Sequence, residues 1–422
     1  MRYLYSILLY IISPFILFYL KKRGQMNPDY KLNWGERFGI KLINKSKKPL
    51  IWLHAVSVGE TRAMAKLVLL LESEYPEYQM LITHMTPTGR TTAGTLYPKA
   101  LLHYLPYDMP HAIINFYKTF KPKLGLIIET EIWPNLIHYA PKYNIPIYLI
   151  NARLSDKSFK WYKKIKWVLK PILNDFTGIL CQDQNSAKNF KSLGFKKEIP
   201  IFGNTKFDII VNENIFLISK FLKQNIQNKK VVVFASTRDG EEKLIIEALP
   251  KKFDYLIIII PRHPERFSEV ENLLKQLKYQ KRSDNKPIYN DTQILLGDSM
   301  GEMMAYYSMA DIAVIGGSFS NCGGQNLIEP LYLHKPVIFG KSMFNFAKIA
   351  EDSLNHECAI QVDNINSSFN AIDDLFTNEN KYKQLSANCS NFISIYQGAS
   401  QSILNVVKQH IRDIPQHSKF KN

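Results

Sequence analysis

Two doubly wound α/β domains behind a hydrophobic N-terminal helix are the fold class this sequence predicts, and three observations predict it. Short apolar runs rich in β-branched residues alternate with helical stretches along most of the chain, the pattern of strands buried on both faces of a parallel sheet. The pattern occurs as two series, separated by VNENIFLISKFLKQNIQNKK (Val211 to Lys230), which is polar at its ends and carries no strand signal. The length, 422 residues, is too great for one ordinary domain and suits two of roughly 150 to 200 residues.

The chain opens on Tyr3 to Leu20, 18 residues without a charge. As a helix this run reaches about 27 Å, against a hydrocarbon core of about 30 Å. Lys21, Lys22 and Arg23 follow it where a cleaved signal would carry small residues, so an uncleaved anchor over residues 1–23 is expected. Three cations after the run, against Arg2 and the terminal amine before it, keep the rest of the chain in the cytoplasm by the positive-inside rule. Pro14 leaves a second geometry open, a kinked helix lying in the interface. In KSFKWYKKIKWVLK, Lys157 to Lys170, six lysines are interleaved with Phe159, Trp161, Tyr162 and Trp167. That mixture suits an anionic headgroup layer, and it equally suits a solvated helix face over a core.

The first series, expected to form a domain over residues 24–210, comprises PLIWLHAV at Pro49, QMLITHM at Gln79, LGLIIET at Leu124, IPIYLIN at Ile145 and TGILCQD at Thr177. Residues 211–230 are expected to be a linker. The second series, over 231–422, comprises VVVFAST at Val231, DYLIIIIP at Asp254, QILLGDS at Gln293, DIAVIGGS at Asp311 and KPVIFG at Lys335. Two such domains facing a cleft would line it with the carboxyl ends of their strands, where doubly wound sheets bind ligands.

The loops after those strands carry the chemistry. IGGSFSNCGGQNLIEP, Ile315 to Pro330, places two glycine pairs between a strand and a helix. Glycines admit a bulky anion close to the backbone, and free N–H groups at a helix start favour negative charge, so the run reads as a phosphate cradle, with a bare tight turn as the alternative. Glu329, early in the following helix, is placed to hydrogen-bond ribose hydroxyls. IIIIPRHPERF puts Arg262 directly after the most apolar strand, held between prolines and able to fork onto a phosphate or carboxylate. DSMGEMMAYY sets Met300, Gly301 and Glu302 between a strand and a helix.

In the first half, IWLHAVSVGETRA puts Gly59 and Glu60 at a strand-to-helix junction. The helix dipole is expected to keep Glu60 ionised and able to accept a proton. IIETEIWPNL sets Glu129 and Glu131 two residues apart at another strand end, and GNTKFD supplies Lys206 near the end of the first domain. Glu60 also has a plain reading as a first-turn glutamate, and Lys206 as a surface lysine.

The net charge of +17 points to acidic partners: nucleic acid, anionic lipid or phosphorylated small molecules. No nucleic-acid recognition motif accompanies it. The four cysteines, Cys181, Cys322, Cys358 and Cys389, form no C-x-x-C pair, so neither a zinc site nor a disulfide framework is indicated. D-x-D and H-E-x-x-H are missing, which leaves no visible metal ligand set. G-x-G-x-x-G and G-x-x-x-x-G-K-[ST] are missing too, which argues against NAD and ATP sites.

Taken in order, HAVSVGE, THMTPTG, ETEIWPNLI, NARLS, GNTKFD, ASTRDGEE, PRHPERF, DSMGEM, IGGSF, GGQNLIEP and PVIFGKSMFNF, together with NWGERFG near the N-terminus, resemble the 3-deoxy-D-manno-octulosonic acid (Kdo) transferases of Gram-negative bacteria. The resemblance covers nearly the whole chain. It implies two Rossmann-like domains in the GT-B arrangement, the acceptor bound by the first and CMP-Kdo by the second. It further implies transfer of Kdo from CMP-Kdo to the tetraacylated lipid A precursor, lipid IVA, with inversion and without a metal or other cofactor, at the cytoplasmic face of the inner membrane. By motif position the resemblance implies that Glu60 would be the base, and that Glu131 and Lys206 would stabilise the transition state. It likewise implies that Pro261 and Arg262, Met300, Gly301 and Glu302, and Asn326, Leu327, Ile328 and Glu329 would hold CMP. Three positions depart from the family pattern: Gln325 and Arg238 stand where His is usual, and Arg90 where Ser is usual. A membrane-associated glycosyltransferase using a UDP-sugar, or a membrane-tethered binding protein without turnover, would share several of these features.

Overall fold

The computed structural model describes residues 2–226 and 228–412; Met1, Gln227 and 413–422, which fall within the expected anchor, linker and second domain, lie outside the described residues. The chain divides into two units, one running to Asp208 and resuming at Tyr396, the other spanning Ile209–Ile395.

The first unit is built on β1 (Leu50–His54), β2 (Gln79–His84), β3 (Leu101–Tyr104), β4 (Leu124–Ile128), β5 (Ile147–Ala152) and β6 (Gly178–Cys181). They form one parallel sheet in the order β3-β2-β1-β4-β5-β6. All five residues of β1 are buried, because the period-two alternation of a strand sends them to two cores. Leu50 and Trp52 join Phe116, Tyr117 and Leu149 on one face, and Ile51 and Leu53 join Leu67, Ile82 and Leu126 on the other. Strand order reverses between β1 and β4, so the loops after these two neighbours flank the switch point where such sheets take ligands.

The second unit carries β7 (Val231–Thr237), β8 (Leu256–Pro261), β9 (Tyr279–Lys281), β10 (Ile294–Leu296), β11 (Ile312–Ile315), β12 (Val337–Phe339) and β13 (Ala359–Gln361). Its sheet is also parallel, in the order β13-β12-β11-β7-β8-β10-β9, with the switch point between β7 and β11.

Three strands gave no sequence signal, β3, β9 and β13, and each lies at a sheet edge. Edge strands are covered on fewer sides, and these three are only partly buried, so no continuous apolar run marks them.

Two expected boundaries are corrected. The stretch 211–230 is not a linker: helix Asn214–Leu222 lies in the second unit, and Leu222 and Ile226 are buried in its core beside Val231, Val233 and Ile258. Nor does the second domain run to the end of the chain. Helix Ala399–Val407 returns to the first unit, where Ile403, Leu404 and Val407 complete the core around Leu67 and Leu71. Both segments present apolar residues at helical spacing, which shows that a face is buried without saying against which sheet.

Helix Arg2–Met26 continues through Pro14 and touches the rest of the first unit at separate points. Arg2 Nη1 donates to Asn135 Oδ1 at 2.9 Å, the Tyr10 hydroxyl lies 2.6 Å from His111 Nδ1, and Leu20 and Gly24 are buried. The opposite face, with Tyr3, Leu4, Ile7, Ile11, Phe15 and Phe18, is exposed.

Candidate active site

At the switch point of the first unit, β1 ends at His54 and helix Val58–Ala63 begins with Ser57 as its N-cap. Ser57 Oγ accepts from the Glu60 N–H at 3.3 Å, and the Glu60 carboxylate turns back to accept from the Ser57 hydroxyl at 2.8 Å and the Val56 N–H at 2.7 Å. This is a capping arrangement written into five consecutive residues, Val56 to Glu60. The carboxylate is partly buried, and burial pushes its pKa above the ordinary carboxylate value; the two hydrogen bonds pull it down, and Glu129 and Glu131 push it up again. The direction is opposite to the one expected from the helix dipole, because loss of water around the charge and two neighbouring acids act against it.

Those acids follow β4. Glu129 adopts a left-handed backbone (φ 63°) and its N–H donates to the Ile150 carbonyl of β5. A non-glycine residue in that region is held there by its surroundings. Lys206 Nζ donates to Glu129 Oε1 at 3.0 Å, with the two side chains 34% and 25% exposed, so the pair remains open to solvent and to a substrate. Glu131 accepts from the Trp133 indole N–H, and burial raises its pKa, opposed by that bond and reinforced by Glu129. Asp108, buried behind this loop, accepts from the N–H groups of Asn135 and Leu136 and so fixes the start of the next helix.

Lys206 sits in the short turn Thr205–Phe207. Asn151, at the end of β5, accepts from the Thr205 N–H at 3.1 Å, Phe207 stacks on Tyr396, and Asp208 accepts from the N–H groups of Gly398 and Ser400. The returning C-terminal segment therefore anchors the turn that carries the lysine. His54 and His84, at the ends of β1 and β2, are buried and held neutral, with pKa values lowered to about 3 and about 4, chiefly by burial. Burial therefore keeps both imidazoles uncharged near neutral pH.

In the second unit the predicted residues rim the carboxyl edge of one sheet, after β8, β10 and β11. Arg262 is exposed and makes no ion pair among the described residues, while its N–H donates to Thr237 O and fixes the turn after Pro261. Met300 is exposed, Gly301 is left-handed (φ 81°), and the Glu302 carboxylate is engaged by Arg282 at 2.8 Å and by Ser299 at 2.6 Å. Asn326 Oδ1 accepts from the Ile328 N–H, opening helix Ile328–Tyr332, in whose first turn Glu329 lies. Leu327 and Ile328 have buried side chains, so a ligand could meet only their backbone.

The glycine loop differs from the cradle the sequence suggested. The Gly317 N–H donates to Glu241 at 2.7 Å, the Gly323 N–H to Ser342 Oγ at 3.1 Å and the Gly324 N–H to the Gly317 carbonyl at 2.8 Å. These donors face the protein itself. The glycines answer a packing demand instead: a Cβ on Gly316 would lie 2.5 Å from Ser236 O, and one on Gly324 2.2 Å from Met343 Sδ. Glu241 had no role in the sequence reading; its only signal was the acidic pair in ASTRDGEE. The three departures also find places: Arg90 pairs with Glu36 at 2.7 Å, Arg238 Nη1 approaches His263 Nε2 at 2.5 Å, and Gln325 packs by Gly317.

A family model described as 3-Deoxy-D-manno-octulosonic-acid transferase (kdotransferase) matches residues 32–209, and one described as Glycosyl transferases group 1 matches residues 219–392. The 3-deoxy-D-manno-octulosonic acid transferase of Haemophilus influenzae is 36% identical, over 97% of this chain and 99% of its own length. The chain belongs to the Kdo transferase family. The transferase of Bordetella pertussis is 31% identical over 96% of this chain and 99% of its own. Among solved structures, the UDP-GlcNAc 2-epimerase of Neisseria meningitidis bound to UDP-GlcNAc shares the fold, with a TM-score of 0.58 at 16% identity over 86% of this chain and all of that one. This Kdo transferase is an α/β enzyme with two parallel sheets and a GT-B-like fold, as the sequence predicted.

Proposed function

We propose that this Kdo transferase moves Kdo from CMP-Kdo to the tetraacylated lipid A precursor by a single inverting displacement, without a metal. In this reading the acceptor hydroxyl attacks the anomeric carbon, its proton passes to Glu60, and the bond from that carbon to the CMP phosphate oxygen breaks. The observation that carries the reading is Glu60 itself. It is a partly buried carboxylate with raised proton affinity, at the switch point of its sheet, beside Glu129 and Glu131. A base with its pKa moved toward neutrality is better matched to a hydroxyl proton than an ordinary surface glutamate. Lys206, held by Glu129, and Glu131 stabilise charge as it redistributes. Arg262, free of ion pairs among the described residues, and the backbone of Met300 to Glu302 and Asn326 to Glu329 hold CMP, whose single phosphate basic side chains and N–H groups can neutralise.

The same reading puts the enzyme at the cytoplasmic face of the inner membrane. The exposed apolar face of helix Arg2–Met26 and the exposed Trp161 and Trp167 among their lysines support it. Vesicle flotation tests this part: retention on vesicles containing anionic lipid and loss of retention for Phe15→Asp with Phe18→Asp are expected, and equal flotation of both proteins would refute it.

The central test is mass analysis of the product formed from lipid A precursor and CMP-Kdo. Gain of one or more Kdo residues is expected. Turnover with UDP-sugars and none with CMP-Kdo would overturn the donor assignment.

A further inference from the structure

We propose that Glu241 is the positioning residue of the donor site, acting through the glycine loop on Gln325 to Glu329 and through Arg238 on the Arg262–His263 turn. The inference rests on the reading of those loops as the nucleotide site.

Glu241 opens the helix after β7, across the switch point from β11. It is 1% exposed, yet it meets no cation in ion-pair contact among the described residues. Its charge is met by four donors instead: the N–H groups of Arg238 at 2.9 Å, Gly317 at 2.7 Å and Phe319 at 3.1 Å, and the Ser320 hydroxyl at 3.3 Å. Successive N–H groups converging on one point make an anion-binding concavity. Here the concavity formed by the loop after β11 holds a carboxylate supplied by the chain. A donor phosphate brought to the same N–H groups would stand against that carboxylate, so the anion contacts of the substrate fall to other groups.

From Glu241 two short connections reach the proposed nucleotide contacts. The first runs through Gly317, whose N–H is held by Glu241 and whose carbonyl accepts from Gly324, the residue before Gln325 and Asn326. The second runs through Arg238, whose N–H is held by Glu241 and whose guanidinium meets His263, next to Arg262. The adjacent Glu242 secures the base of the same turn, accepting from Thr237 Oγ1 at 2.6 Å and from Arg266 at 2.7 Å. A buried acceptor of N–H groups has a strict geometry, so one carboxylate fixes the relative placement of two loops that are distant in sequence.

The test uses the full-length enzyme with CMP as probe. In Glu241→Gln an amide N–H₂ replaces one acceptor and confronts N–H groups, so CMP affinity by calorimetry is expected to fall about tenfold or more. The donor KM should rise in step, while acceptor KM and kcat at saturating donor stay within about twofold, the split expected of a residue that places the donor site without touching reacting atoms. Glu241→Asp, which keeps the charge, should recover part of the affinity. A Glu241→Gln enzyme with unchanged CMP affinity and donor KM overturns the inference while leaving the donor reading intact. A wild-type enzyme that binds no CMP sinks the donor reading itself. Should the variant fail to fold, hydrogen exchange on the wild type decides: the Gly317 and Phe319 amides should be as protected as β11 without ligand and unchanged by CMP. Free exchange, or protection appearing only with CMP, overturns the proposal.

Discussion

The two sheets put a Gly-Glu step after their first strand, VGE after β1 and DGEE after β7, and the two glutamates have opposite fates. Glu60 has two donors, one from its own N-cap hydroxyl, and stays partly open beside two further acids. Glu241 is buried and receives four donors, three of them backbone N–H groups. A buried carboxylate engaged on all sides, chiefly by fixed backbone N–H groups, is a structural clasp. One with fewer donors and acidic neighbours keeps an affinity for protons that chemistry can use. Position in the fold is shared; the two glutamates differ in the number and kind of their hydrogen bonds.

The sharpest way to break this comparison is Glu60→Gln. Turnover should fall by about 10²–10⁴, the usual contribution of a general base, with thermal unfolding little changed. Preserved turnover would make Glu60 an ordinary helix cap. Next come Lys206→Met and Glu129→Gln, each expected to lower kcat by about 10²–10³, as for loss of a fixed charge that stabilises a transition state. If the pair acts as a unit, the double variant should lose little more than either single one; additive losses in steady-state assays would show independent roles.

On the other side, Gly324→Ala should weaken the second unit itself. Its left-handed backbone (φ 71°) and a Cβ 2.2 Å from Met343 Sδ lead to an expected loss of about 1–3 kcal/mol in denaturant unfolding. Unchanged stability would mean the loop is slack, and Glu241 would then have nothing rigid to hold.

The smallest effect is in pH. Because the Glu60 pKa is raised, the group is protonated at higher pH than an ordinary glutamate, and a base is lost once protonated. Activity should therefore be present above the raised pKa and fall as pH drops through it. The acid limb of kcat/KM should lie above the ordinary glutamate value of about 4.3. Ser57→Ala removes a donor that favours the charged form, so it should move that limb further up. A shift downward would reverse the assigned balance of burial against hydrogen bonding.

Much of this was legible along the chain because it is local. Buried strands announce themselves as apolar runs, and the ten that were read all lie where the structure has strands, whereas the half-covered edges β3, β9 and β13 left no run to see. Glu60 was legible because its cap lies within four residues. The motif set carried the family, and with it the expected site residues.

The sequence by itself determined the two series of strands, the loops at their carboxyl ends and the apolar N-terminal helix, since each depends on neighbours a few residues away. Only the tertiary structure decided that Lys206 meets Glu129 across 77 positions, that Glu241 fills the glycine loop across 76, and that helix Ala399–Val407 returns to the first sheet. An amphipathic face or a charged side chain specifies that a partner is needed. Which partner it finds depends on the path of the whole backbone through space.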